Sequence, residues 1–328
     1  MSTLPDSHSG VPAQVARRLL SLATRAPSVH NTQPWTWQIH PDRIDLYADW
    51  SRRLGAADPQ GRELVISCGA ALHHLRLAAA ASGLRADVTR FPDPADPDLL
   101  ATVTFTSSVR PFSSAADLRA IQDRCTDRRR FTSWPIPDER LQLLAQAVED
   151  DGGDAVALTG VTDRFRVELM SAQAHRVQQR DPAIAAEAKR WTDRGAYDGL
   201  GSDHLPAGPG EPGTVPNRFE HGLLQDRDQE LETADGLIVL CGRDDSRSSW
   251  LRAGESLSVL WLKAVQGRLS VVPLSQVVEV AETRAALQHQ ILGDRAVPML
   301  LVRVGWQAIS RSQLKPTPRR PLDDVLRA

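Results

Sequence analysis

Apolar residues along the chain follow two rhythms, one suited to helices and one to strands. Near Pro12 a helical pattern opens with Val15, Leu19, Leu20 and Ala23 on one face. It must end near Pro27, because a proline pushes the residue before it out of the helical region. Trp35 to His40 and Arg43 to Ala48 read as two strands around a Pro41-Asp42 turn. A long helix is predicted from Arg62 to Ser82, closed by Gly83, and another strand from Leu99 to Phe105. A second series starts at Pro137, where Asp138 heads a helix carrying Leu141, Leu144, Ala145 and Val148. A further helical pattern spans Asp163 to Trp191. Then come a strand at Gly236 to Cys241, helices at Ser249 to Gln266 and Glu279 to Leu292, and a strand at Met299 to Val304. Gly195 to Gly222 has neither rhythm and is crowded with Gly, Pro, Asp and His. So long a stretch reads as a lid-like insertion. Residues 1–10 read as a disordered tail, and Lys315 to Pro321 as a basic, proline-rich one.

The two series are copies of one another. Gly69, Leu72, Leu75, Leu77 and Ala79 recur as Gly254, Leu257, Leu260, Leu262 and Ala264, 185 positions later. Leucines at such offsets occur in any amphipathic helix, but here each copy also sits between two apolar strands. Each repeated glycine suits a close approach between the paired helices or to a ligand. The chain thus divides into half one, residues 11–120, and half two, residues 121–328. The fold class expected is α+β, with the long helices forming an interface inside one polypeptide.

Composition narrows the function. With 328 residues and a formal net charge of −2, there is no basic field for nucleic acid or an anionic membrane. The apolar runs read as too short to span a bilayer, and the first thirty residues lack a signal-peptide core. Cys68, Cys125 and Cys241 make neither a disulfide framework nor a metal clip, which suits a cytoplasmic protein. His73 and His74 point different ways on a helix, so they cannot clamp a metal and read as exposed. Trp35 and Trp134 are the tryptophans that could stack near a ring.

Four segments carry candidate chemistry. Arg25-Ala26-Pro27-Ser28-Val29-His30-Asn31-Thr32-Gln33-Pro34-Trp35 is a helix exit into a polar loop that enters a strand. Arg124-Cys125-Thr126-Asp127-Arg128-Arg129-Arg130-Phe131 clusters arginines ahead of a helix, where guanidinium groups can grip phosphate through paired, charge-assisted hydrogen bonds. Val272-Pro273-Leu274-Ser275-Gln276 follows the second long helix and on its own reads as a helix–helix connection. Thr317-Pro318-Arg319-Arg320-Pro321 follows the last strand.

Together the four resemble the FMN-dependent nitroreductase family, in particular its fused, two-half Acg-type branch. The resemblance implies a nitroreductase-like pseudo-dimer with FMN held between the halves. By that resemblance Ser28, Val29 and Asn31 face the ribityl chain and ring edge, with His30, Thr32 and Gln33 beside them. Anchoring on Thr126 makes Arg124, Thr126 and Arg128 the phosphate element; anchoring on Phe131 favours Arg129. Pro273, Ser275 and Gln276 take the place of the segment whose backbone N–H groups reach flavin N5. Thr317, Arg319 and Arg320 return to the phosphate.

The loop lies in half one and the other elements in half two, and neither set is repeated. One complete flavin site in a monomer is therefore expected. The activity implied is hydride transfer from NAD(P)H through FMN to a small electron-poor acceptor, a nitroaromatic or a quinone. The cofactor carries the chemistry, so no catalytic side-chain set and no metal is called for. A protein that stores or sequesters FMN is the alternative, supported by the long lid and the altered N5 segment.

Overall fold

The computed structural model describes residues 11–108, 115–205, 235–308 and 314–327; the predicted tail and residues 206–222 of the predicted lid lie outside them. In the first half come α1 (Ala13–Ala23), β1 (Trp35–Ile39), β2 (Arg43–Ala48), α2 (Arg62–Ala81), β3 (Leu84–Arg90) and β4 (Leu99–Ser107). After α3 (Ala115–Asp123) the second half gives α4 (Asp138–Asp150), β5 (Asp154–Leu158), α5 (Val161–Gln179), α6 (Pro182–Arg190), β6 (Gly236–Gly242) and α7 (Arg247–Gln266). It ends with β7 (Ser270–Leu274), α8 (Gln276–Glu279), α9 (Ala281–Gln290) and β8 (Val297–Gly305).

Two antiparallel sheets result, ordered β1-β2-β4-β3 and β5-β6-β8-β7, which is the same topology twice. Even the irregularities repeat: a register shift falls at Leu46/Tyr47 of β2 and at Leu240/Cys241 of β6. The turns after the long helices also match. Gly83 and Arg268, 185 positions apart, are both left-handed, with φ of 74° and 60°. The fold is α+β, as the two rhythms require.

The long helices α2 and α7 cross where the repeat predicts a close approach. A Cβ on Gly69 would stand 2.0 Å from Leu251 O, and one on Gly254 would stand 1.9 Å from Ile66 O. Ile66 and Leu251 are themselves 185 positions apart, so the contact is reciprocal, as about a two-fold axis. One turn further on, His73 Nδ1 lies 2.7 Å from Ser258 Oγ, again its counterpart in the repeat. Both His73 and His74 are buried, contrary to their predicted exposure, because α2 is enclosed along most of its length. Burial pushes the His73 imidazole down to about 4 and that of His74 well below the ordinary range. Enclosure also accounts for the composition of α2. It is apolar and long enough to cross a membrane by those criteria, against the reading of short apolar runs, but 78% of that window is buried in the fold.

Four departures from the sequence reading have physical causes. The predicted helix from Asp163 to Trp191 is two helices, because Pro182 starts α6 and the Asp181 carboxylate caps Ala183 N–H at 2.8 Å. The segment Val272 to Leu274 is part of strand β7, not a helix–helix connection. Its Pro273 is tolerated because β7 is a sheet edge. Trp35 is fully buried in the first core and Trp134 is 77% exposed. The C-terminal residues, assigned by sequence to half two, pack on half one: Arg327 N–H donates to Trp37 O at 2.7 Å, and Val325 joins the first core.

Candidate flavin site

The loop after α1 is backbone under constraint. His30, Asn31 and Gln33 all have positive φ, 46°, 54° and 49°, a region that non-glycine residues seldom occupy. Several bonds hold it there. Ser28 Oγ accepts from Gln33 N–H at 2.9 Å, and Val29 N–H donates to Ser67 Oγ of α2 at 3.1 Å. Asn31 Nδ2 donates to Gly199 O and Pro318 O, and its Oδ1 accepts from Arg319. Gln33 Nε2 donates to Tyr197 O, while its Oε1 accepts the Arg320 N–H. Arg52 donates to Thr32 O and pairs with Asp198. Residues 28–33 are thus brought together with 317–320 and with residues 197–199 of the predicted lid. His30 is buried in the same loop.

Three guanidinium groups converge behind this loop. Arg319 donates to the carbonyls of Thr24, Arg25 and Ala26, the orphan acceptors at the end of α1, and to Thr317 Oγ1. Arg124 donates to Arg25 O at 3.3 Å and stacks on Trp261, 4.7 Å from the ring centroid. Burial, followed by the charges of Arg124 and Arg25, pushes Arg319 down to about 9. Burial likewise lowers Arg124 to about 10. Among the described residues neither group has a carboxylate to set against its charge, and a positive cluster in low dielectric is costly without an anion. Arg25 Nε, Arg124 Nε and Trp261 Nε1 are buried N–H donors with no hydrogen-bond partner among the described residues. A dianionic phosphate fits this donor set.

The other predicted residues separate. Arg129 is locked in a two-pronged pair with Asp127, at 2.8 and 2.5 Å, so its charge is matched. Arg128 lies close enough to His204 in the predicted lid for its charge to help lower that imidazole, after burial. Thr126 is half-buried. Arg320 turns from the cluster toward the loop, with Nη1 3.4 Å from Gln33 O and Nη2 on Asp324 O. Arg25 and Trp261 belong to the cluster but were missed by sequence reading. Arg25 lies just ahead of the polar loop, and Trp261 gives no signal apart from the helix it sits on.

Pro273, Ser275 and Gln276 make no direct contact with residues 28–33 among the interactions described. The pseudo-two-fold relates them. It carries Arg90 onto Ser275, Glu255 onto Ala70, Arg252 onto Ser67 and Arg76 onto Trp261. In the first-named set the charges pair: Arg76 with Asp151 at 2.9 Å, and Arg76, Arg90 and Arg252 with Glu255 at 3.2, 2.7 and 3.3 Å. Arg252 also donates to Asp151 O, as Ser67 receives Val29 N–H, so the two places correspond. One is closed by a charge-matched network around the fully buried Glu255. Its image has small or uncharged residues and an unmatched arginine cluster.

No protein-family model matches the chain. Curated relatives do. It is 36% identical over 319 residues to "Putative NAD(P)H nitroreductase Rv3131" of Mycobacterium tuberculosis, covering 96% of this chain and 91% of the relative. To "Putative NAD(P)H nitroreductase acg" of the same organism it is 34% identical over 334 residues, covering 98% and 97%. Among solved structures, a nitroreductase with bound FMN from Bacteroides fragilis aligns at 12% identity and a TM-score of 0.40, over 63% of this chain and 96% of that one. A structure described as "a putative nitroreductase" from Anabaena variabilis aligns at 13% identity and a TM-score of 0.49, over 90% of this chain and 88% of that one. At these scores neither bears on the site. With a third of its residues shared over nearly the full length of both relatives, the chain belongs to the nitroreductase family of oxidoreductases.

Proposed function

We propose that the chain binds one FMN and passes reducing equivalents from NAD(P)H to a small electron-poor acceptor, a nitroaromatic or a quinone. The observation that carries this is the cluster of Arg124, buried, with Arg25 and Arg319, half-buried, rich in donors and without an acid among the described residues, beside a loop of family character. Arg124 and Arg25 hold the phosphate, and Arg319 fixes the carbonyl bed on which they lie. Thr126 and Arg128 flank it. Ser28 to Gln33 border the ribityl chain and ring edge, and Pro273 to Gln276 the reactive edge. FMN, when bound, supplies the hydride chemistry; the side chains bind and orient it. The charge-matched image accounts for one flavin rather than two, and both halves in one chain account for a cytoplasmic monomer.

A second reading, storage of FMN with little turnover, is favoured by one feature. The amides of Asn31 and Gln33 are engaged by the backbone of residues 197–199, which lie across the loop. Anaerobic stopped-flow reduction of the FMN-loaded protein decides between the two. Loss of the flavin absorbance on mixing with NADH or NADPH is expected. A flavin that stays oxidised with both would overturn the reductase reading in favour of storage.

A further inference from the structure

Gln276 opens α8 at the end of the segment assigned to the reactive edge, and it is held by a chain of amides. Its Nε2 donates to Gln178 Oε1 at 2.9 Å, and Gln178 Nε2 donates to Glu279 Oε2 at 2.6 Å. Gln178, near the end of α5, is 5% exposed, and its partners Gln276 and Glu279 are half-buried. A carboxylate only accepts hydrogen bonds. Glu279 therefore obliges Gln178 to turn its NH2 group toward it and its oxygen toward Gln276. Gln276 must then turn one N–H of its own amide toward Gln178, which puts its Oε1, an atom that can only accept, on the opposite side of the amide from that bond. A pair of amides alone would be satisfied in either direction; the carboxylate sets the sense.

The repeat isolates this feature. At the position of Gln276 the first half has Phe91, whose ring instead receives the Arg247 guanidinium at 5.7 Å. α5 and α8 both belong to insertions that the first half lacks. The amide chain is present on the side of the unmatched arginine cluster and absent from its charge-matched image.

We propose that Gln178, oriented by Glu279, is a positioning residue that holds the Gln276 carbonyl oxygen as a hydrogen-bond acceptor at the reactive edge of the flavin. The inference rests on the FMN reading above. A fixed acceptor there favours the form of the ring whose N5 carries a hydrogen, the reduced one. The phosphate end, on other elements, is untouched by it.

The test uses the full chain loaded with FMN, as parent, Gln178→Leu and Glu279→Gln. Fluorescence titration gives the affinity for oxidised FMN, and the midpoint potential of the bound flavin gives the ratio of reduced to oxidised affinity by linkage. Oxidised FMN should bind all three within about twofold, while the ratio falls about tenfold in Gln178→Leu, the weight of one hydrogen bond. It should fall by less in Glu279→Gln, where the amides can run either way. An unchanged ratio in both variants, or an equal loss for both flavin states, would overturn the proposal. If Gln178→Leu fails to fold, the isosteric Glu279→Gln decides alone. A parent chain that binds no FMN would instead bring down the flavin reading itself.

Discussion

Arg319 and Arg320 adjoin in sequence and part company in space, and their roles diverge with their partners. Arg320 grips Gln33 and Asp324, whereas Arg124 keeps an unpartnered Nε beside the cluster. Arg124→Ala should therefore weaken FMN tenfold or more, since a charge-assisted hydrogen bond contributes about 1.5–3 kcal/mol. Riboflavin, which lacks the phosphate, should bind as before. Arg320→Ala should affect FMN and riboflavin alike, because it acts through the loop. Fluorescence titration with both ligands checks this, and an FMN-selective loss at Arg320 with none at Arg124 would reverse the assignment.

At the start of α2 the Asp58 carboxylate accepts Leu64 N–H at 3.0 Å, and burial, with Glu279 adding, raises it to about 6 from 3.8. The folded chain then holds this proton more tightly than the unfolded one. Stability falls as pH rises from about 4 to about 6 and levels off above. The lowered His73 works in the opposite sense over an overlapping range. Urea melts of parent and Asp58→Asn across that window should differ in slope, the parent losing more stability with rising pH. Parallel slopes would contradict the shift.

Among the elements, the crossing of α2 and α7 is the tightest constraint. Gly69→Ala or Gly254→Ala puts a methyl group against backbone carbonyls that cannot swing aside. Each should cost about 1–3 kcal/mol or more, read as a lowered Tm. The double variant should cost less than the sum, because both methyls press on one gap. Full additivity would mean that the helices do not meet there. This crossing was legible in the sequence because a repeated glycine inside a helix asks for a neighbour.

Other elements were not legible. β3, β5 and β7 are the edges that pattern reading missed. Edge strands are polar, as in Leu84 to Arg90, or short and interrupted by a proline, as in β7. The polar loop and Arg124 were legible as a string of residue types. The amide chain through Gln178 was not, since it joins residues about a hundred positions apart that become neighbours only when α5 packs on α8. Arg129 and Arg320 show the same limit, because sequence does not say which acid or carbonyl an arginine will find.

At the scale of the whole molecule, one fold is written twice and then made unequal. The two halves share sheet order, bulges and helix ends. At four related positions, however, one copy of the site has Arg252, Glu255, Arg76 and Arg90 where the other has Ser67, Ala70, Trp261 and Ser275. Removing Glu255 would take away the buried acid that Arg76, Arg90 and Arg252 share, leaving only Asp151 beside Arg76. On the proposed reading the network closes its own copy of the site, and flavin binding is expected only at the image where charge is unmatched. The number of flavins that one chain takes separates one working site from two. Titration of the flavin-free protein with FMN, with the mass in solution followed by light scattering, measures it. One FMN per monomeric chain is expected; two per chain, or FMN bound only by a dimer, would contradict it.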